Sequence, residues 1–221
     1  MTTREIYDLH ILKMVGGDLI IEPVFESLLD NSIFVDFLLD NISYSVSTYD
    51  NLFDASSYCN GFVLYRKYSR KDVFRILNWE TNPVAQNVGG YMISQDSTSC
   101  PIFVNYHKEE SISSTTKYDD RFVNNSIFEW MSKSNRTLNS PDVQMIMNYR
   151  QGLRLPLFIK KNNDEGAEFY FMGDITPVDN GFEQTVMPDD HENNVSVVKV
   201  KFNMNQPVSD SMYNYIISTD E

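Results

Sequence analysis

The sequence predicts an α+β protein: a small helical segment followed by a mostly antiparallel sheet or barrel with flanking helices. Helix-start signals precede apolar residues at helical spacing, and the C-terminal third has short apolar runs separated by polar loops. The 221 residues, 42% of them hydrophobic, are enough for one large or two small domains. We expect a boundary near residue 60, between a helical connector (1–60) and a larger domain (61–221).

Two helices are predicted between residues 20 and 42. Pro23 stands at a first helical position, and Asn31-Ser32 fits an N-cap before the apolar run that begins at Ile33. The following stretch, from Tyr44 to Asn60, is rich in Ser, Asp, Asn and Tyr, and it is predicted to be a connection.

Two more helices have clear start signals. Ser69 and Asp72 have the spacing of a capping box, in which each side chain satisfies a free backbone donor of the other residue. Ser140-Pro141-Asp142 combines a capping serine, a proline and an acid, and predicts a helix that runs to Gly152. Trp79, at the end of the first of these helices, is expected in the core.

Strands are predicted on both sides of two polar loops near the C-terminus. The paired runs are Leu155 to Lys160 with Ala167 to Met172, and Gln184 to Met187 with Val195 to Phe202. Each pair predicts a hairpin. Tyr91 to Ile93 and Ile102 to Tyr106 are predicted to add β-structure in the centre of the chain.

Charge is distributed unevenly along the chain. The formal net charge of −13 argues against a protein that coats nucleic acid with its whole surface. However, 13 of the 18 Lys and Arg residues lie between residues 61 and 160. This concentration is compatible with one basic face on an acidic protein, or with ordinary charge variation in a globular domain.

Motifs for autonomous catalysis are missing from the sequence. Two cysteines and three histidines stand apart, without the pair spacings of a zinc site, and there is no phosphate-binding glycine loop or nucleophile elbow. A metal-dependent nuclease would need an acid-x-Lys strand after Asp142, and the sequence has none there. His107 is interpreted as a neutral polar residue. We therefore expect no enzyme activity, cofactor or metal. Because no membrane span or signal peptide is evident, we expect a cytoplasmic protein.

Ordered blocks of residues carry a resemblance to a known family. They are Tyr65 to Val73, Leu77 to Trp79, Gly89-Gly90-Tyr91, Cys100 to Val104, Tyr106 to Lys108, Thr116 to Asp120, Phe128, Trp130, Ser132, Ser134 to Thr137, Leu155 to Phe158, Tyr170 to Asp174 and Glu183 to Thr185. In this order the blocks resemble the uncharacterised domain that closes bacterial proteins carrying a phospholipase-D-type nuclease and a superfamily-2 helicase. SauUSI-type modification-dependent restriction enzymes belong to that group.

The resemblance implies an SRA-like fold, related to the PUA barrels, that reads 5-methyl or 5-hydroxymethyl cytosine in duplex DNA by base flipping. The chain would then be the targeting domain of an ATP-dependent restriction system. The helicase and nuclease would lie on other domains of the same or a partner chain.

A reader that flips a base needs aromatic faces and hydrogen-bonding groups for its edge. The base-pocket candidates are Tyr118, Asp119, Phe122, Phe128 and Trp130. The last three are also the residues expected in a core, because aromatic side chains dominate burial. For Tyr118 and Asp119 a simple turn remains the alternative.

Cations and small polar residues are candidates for contacts with the DNA backbone, since phosphate oxygens accept hydrogen bonds from such side chains. These candidates are Arg66, Lys67, Arg70, Lys71, Lys133, Ser134, Asn135 and Arg136. The alternative interpretation is a solvated helix face for the first four and a solvated turn for the others.

Two other functions stay open from the sequence. One is a protein–protein coupling module that regulates a helicase or nuclease through its acidic surfaces. The other is a PUA-like barrel that binds RNA or a small molecule.

Overall fold

The computed structural model describes residues 11–52, 57–81, 83–84, 88–107, 120–188 and 193–219. The chain divides into two units, Met1–Tyr58 with Glu80–Asn82, and Cys59–Trp79 with Pro83–Glu221. Within the described ranges, no helix has both the length and the hydropathy that a membrane span requires.

The first unit contains a β-hairpin and two helices. Strands β1 (Leu12–Val15) and β2 (Asp18–Ile21) pair antiparallel through Gly16-Gly17, whose φ angles are 61° and 96°. Positive φ at both turn residues matches the twist of the strands they join. Helices α1 (Pro23–Leu29) and α2 (Ser32–Leu52) follow, so both predicted helices are confirmed, whereas the hairpin is not among the predicted elements.

Helix α2 is longer than predicted. The expected connection from Tyr44 to Asn60 is wrong as far as Leu52, where the helix ends. Polar side chains in this part of the helix bond to the preceding turn: Asn41 Nδ2 donates to the Phe37 carbonyl, and Ser45 Oγ donates to the Asn41 carbonyl, both at 2.7 Å. Such bonds satisfy the polar groups without ending the helix.

Short elements lie around Cys59, where the second unit begins. Strands β3 (Tyr58–Cys59) and β4 (Phe62–Val63) pair with each other, and β5 (Lys67–Tyr68) leads into helix α3 (Arg70–Ile76). The Asp72 N–H donates to Ser69 Oγ at 3.2 Å, and the Ser69 N–H donates to the Asp72 carboxylate at 3.3 Å. The predicted capping box is confirmed.

A curved seven-stranded sheet forms the body of this unit. Besides β5 it contains β6 (Ile102–Asn105), β7 (Arg121–Asn124), β8 (Ile127–Met131), β9 (Pro156–Lys160), β10 (Phe169–Pro188) and β11 (Asn194–Met204). The strand order is β6-β9-β10-β11-β8-β7, with β5 paired to the start of β10. Only β6 and β9 pair in parallel among these strands.

The long strand β10 curls the sheet. It pairs with β9 as far as Asp174 and with β11 from Ile175 onwards. Its register with these partners shifts between Phe171 and Gly173, and again between Pro177 and Phe182. Because such irregularities bend a strand, the sheet closes into a half-barrel. The predicted α+β class with a mostly antiparallel, curled sheet is confirmed.

Both predicted C-terminal hairpins are confirmed, since Ile159 pairs with Tyr170 and Gln184 with Val198. Helix α4 (Pro141–Met147) begins where predicted, and a 3₁₀ turn continues it to Gln151. The expected cap by the Ser140 hydroxyl is wrong, because this oxygen accepts the Thr137 N–H instead. Helix α5 (Asp210–Ile217), capped by Ser209, is an element that was not predicted.

Two buried clusters lie on opposite faces of the sheet. Along β9, Leu157 and Ile159 belong to one cluster, and Phe158 between them belongs to the other. Successive side chains of a strand point to opposite faces, so this strand is covered on both. The second cluster is rich in phenylalanine, and its Phe103 and Phe169 border an open cleft.

Candidate functional site

An open cleft of about 580 Å³ lies in the second unit. Its volume falls within the range of small-molecule sites, roughly 300–1,000 Å³. The residues that line it come from α3, β6, β8, β9, β10 and the segments between them. Four are aromatic, three are cationic, and the rest are mainly glycines, amides and one acid.

The aromatic residues form two pairs. Tyr91 and Trp130 meet edge to face, with ring centroids 4.9 Å apart, and Phe103 and Phe169 do so at 5.3 Å. All four side chains are at least 96% buried. The cleft therefore has rigid, largely apolar walls.

The hydroxyl of Tyr91 is fixed by a charged pair behind the wall. It donates to Asp142 Oδ2 at 2.6 Å, and Arg136 Nε donates to the same oxygen at 2.7 Å. Burial raises the pKa of Asp142, but the bonds from Tyr91 and Arg136 outweigh that effect and hold it below its usual value. Burial and the bond to Asp142 raise the pKa of Tyr91 well above its ordinary value. Tyr91 therefore stays a neutral donor whose ring is held in place.

The three cations contact these rings. The Arg70 guanidinium carbon lies 4.7 Å from the Phe169 centroid and 5.1 Å from the Phe103 centroid. Lys160 Nζ lies 5.3 Å from Phe169, and Lys133 Nζ lies 4.7 Å from Tyr91. Burial lowers the pKa of all three; the charge of Arg70 adds to the effect at Lys160.

Two buried polar atoms of the cleft residues lack a hydrogen-bond partner. They are Arg70 Nε, a donor, and Asn105 Oδ1, an acceptor, and in the described part of the chain no other buried side-chain nitrogen or oxygen is unpaired. The Asn105 amide nitrogen does have a partner, donating to Asn163 Oδ1 at 2.6 Å. An unpaired buried polar atom is costly, so one donor and one acceptor of the residues that line the cleft are left unused by the described part of the chain.

Of the predicted base-pocket residues, Trp130 lines the cleft. Phe128 is completely buried and Phe122 is 7% exposed; their rings lie 5.0 Å apart in the core, and neither lines the cleft. Tyr118 and Asp119 lie outside the described residues. Their neighbour Asp120 lines the cleft, and its Oδ1 accepts the Met131 N–H at 2.9 Å.

The predicted backbone-binding residues separate into three groups. Arg70 and Lys133 line the cleft. Lys67 and Arg136 are paired with carboxylates: Lys67 Nζ lies 3.6 Å from Glu165, and Arg136 holds Asp142. The other four candidates lie at the surface: Ser134 is half-buried, and Arg66, Lys71 and Asn135 are exposed.

Sequence reasoning missed most of the cleft. Asn105 and Lys160 lie side by side because β6 and β9 pair in parallel, which the sequence does not indicate. The Gly89-Gly90-Tyr91 block, quoted above for the family resemblance, was the available signal for this wall. Within the described ranges, no group of three or more His, Cys, Asp or Glu side chains is arranged to hold a metal ion.

A family model described as "Domain of unknown function (DUF3427)" matches residues 62–216. No curated protein matches the chain. The fold is similar to three solved structures that share 10–12% sequence identity with it.

The first of these structures is the DNA modification-dependent restriction endonuclease AspBHI, with a TM-score of 0.46 over 71% of this chain and 81% of that one. The second contains the sulfur-binding and SRA domains of ScoMcrA complexed with phosphorothioated DNA. Its TM-score is 0.42, and the match covers 70% of this chain and 45% of that one. The third is Arabidopsis thaliana SUVH6 in complex with SAM. Its TM-score is 0.41, and the match covers 69% of this chain and 28% of that one.

Proposed function

The chain belongs to the DUF3427 family, and we propose that it is a non-catalytic reader of modified cytosine in duplex DNA that binds the extruded base in its cleft. The proposed modifications are 5-methyl and 5-hydroxymethyl cytosine. In this proposal the helicase and nuclease of an ATP-dependent restriction system lie on other domains or chains.

The observation that carries the proposal is the unpaired donor and acceptor in an aromatic cleft. A nucleobase has flat apolar faces and an edge of alternating donors and acceptors. The aromatic walls suit the faces. Asn105 Oδ1 suits the exocyclic amino group of cytosine, and Arg70 Nε suits an acceptor on the base or on its substituent.

Exposed cations beside the cleft residues support a DNA partner. Lys71 follows Arg70 in helix α3, and Arg66 lies just before that helix; both are exposed. Such side chains suit phosphate contacts, which position a protein on DNA without reading its sequence.

Gly90 offers a direct test, because it lines the cleft and has room for a side chain. Among the described residues, a Cβ at this position would lie within 4 Å of one atom, the Phe103 carbonyl oxygen, at 3.7 Å. A Gly90→Leu chain should therefore fold and occupy space that the base needs.

The experiment is a titration of fluorescent duplexes that carry one modified cytosine, beside the matched unmodified duplex, at several salt concentrations. We expect the wild type to prefer a modified duplex about tenfold or more, the scale of one well-formed base contact. Gly90→Leu should lose this preference and keep its affinity for plain DNA, which phosphate contacts supply. Equal binding of all duplexes by the wild type contradicts the proposal and favours a coupling function.

A further inference from the structure

Two cations that line the cleft share one aromatic ring. Arg70 and Lys160 both approach Phe169, at 4.7 Å and 5.3 Å from its centroid. Lys160 Nζ donates to the Gly166 carbonyl at 2.9 Å. In the described part of the chain, no carboxylate forms an ion pair with Arg70, Lys160 or Lys133.

The described residues that line the cleft include three cations and one carboxylate. Burial and the charge of Arg70 lower the pKa of Lys160, and the opposing effect of Glu165 is smaller. Burial and the charge of Arg136 likewise lower the pKa of Lys133 against the smaller effect of Asp142. Asp120 is the carboxylate among the described lining residues, and its Oδ1 already accepts a backbone N–H. A bound group with anionic oxygens would relieve this imbalance, since charge-assisted hydrogen bonds form where donor or acceptor is ionised.

We propose that Arg70 and Lys160 form an anion subsite that selects cytosine with an oxygen-bearing substituent at C5, a carboxylate above hydroxymethyl and hydroxymethyl above methyl. This inference rests on the proposed function, because it needs the base inside the cleft. A methyl group needs only an apolar environment and forms no charge-assisted bond with the two half-buried cations. A phosphate of the bound nucleotide is the other source of anionic oxygen, and the test below separates the two.

The test uses four duplexes of one sequence, with cytosine, 5-methyl, 5-hydroxymethyl or 5-carboxyl cytosine at a single position. We expect the wild type to bind the 5-carboxyl duplex about tenfold more tightly than the 5-methyl duplex, as one charged hydrogen bond allows. Lys160→Met should remove that advantage and leave the affinity for the 5-methyl duplex nearly unchanged. Lys71→Met is the matched comparison: it deletes the same charge from an exposed position outside the cleft, and it should weaken all four duplexes alike and so preserve their ranking.

The outcomes are distinguishable. If the wild type prefers modified DNA but binds 5-methyl as tightly as 5-carboxyl cytosine, the anion subsite is wrong and the reader function stands. If Lys160→Met weakens all four duplexes equally, the cation contacts a phosphate, which also overturns the proposed selectivity. If no modified duplex is preferred over plain DNA, the proposed function itself fails. Thermal unfolding checks that each variant is folded; should Lys160→Met unfold, the wild-type ranking alone decides.

Discussion

Replacing Tyr91 with Phe removes one hydrogen bond behind the cleft wall and keeps the ring. The hydroxyl donates to Asp142 at 2.6 Å, and Arg136 donates to the same oxygen at 2.7 Å. A hydrogen bond to a charged group contributes about 1.5–3 kcal/mol. The Asp142 side chain is 22% exposed and keeps Arg136 as a partner. We therefore expect Tyr91→Phe to lower the free energy of unfolding by about 1.5–2 kcal/mol, near the lower end of that range. In a chain of this size the melting temperature should fall by about 3–8 °C.

The same charged pair should make stability depend on pH. The pKa of Asp142 is lower in the folded chain than in the unfolded chain. Its contribution is therefore fully present above the unfolded value, about 3.9, and is lost as the pH falls through the folded value. Asp142→Asn should be less stable than the wild type at neutral pH, and the difference should shrink in acid.

Urea unfolding at neutral and acidic pH measures both effects. Tyr213→Phe is a suitable control, because in the described part of the chain this half-buried tyrosine packs against Phe122 and its hydroxyl forms no hydrogen bond. If Tyr91→Phe is as stable as the wild type at both pH values, the bond to Asp142 contributes nothing and the reasoning is wrong.

Three further substitutions test other parts of the structure. Phe128→Ala should cost about 3–5 kcal/mol in urea unfolding, since the ring is completely buried; a neutral result would mean that the core is misplaced. Ser69→Ala should lower the free energy of unfolding by about 1 kcal/mol, because the helix cap is lost. If Ser69 and Asp72 cap each other reciprocally, the double variant Ser69→Ala with Asp72→Ala should lose less than the sum of the two single variants. Lys71→Ala should weaken plain and modified DNA alike and reduce the slope of affinity against salt by about 1; an unchanged slope would remove Lys71 from the DNA-binding surface.

Local signals in the sequence predicted much of the fold. The capping box at Ser69 and Asp72 was predictable because both partners lie within one helical turn. The C-terminal hairpins were predictable because their strands are adjacent in sequence. The extension of α2 was not predictable from local signals, because Asn and Ser favour turns in isolation. Here Asn41 and Ser45 bond to carbonyl groups within the helix.

The cleft was predictable only in part, because its residues come from distant segments of the chain. Trp130 and Arg70 were recognised as candidates from their residue types, but nothing local indicates that Arg70 lies between Phe103 and Phe169. The parallel pairing of β6 with β9, which places Asn105 beside Lys160, is likewise a property of the tertiary fold. The roles predicted for Tyr118 and Asp119 stay predictions.

The central claim, that a modified base leaves the duplex and enters this cleft, is tested most directly by 2-aminopurine fluorescence. The analogue is placed next to the modified cytosine, where extrusion of that base unstacks it and raises its emission. We expect the wild type to brighten the modified duplex well above the matched plain duplex, and Gly90→Leu to leave both dim while still binding them. Binding without brightening by the wild type, or equal brightening by Gly90→Leu, would contradict the account.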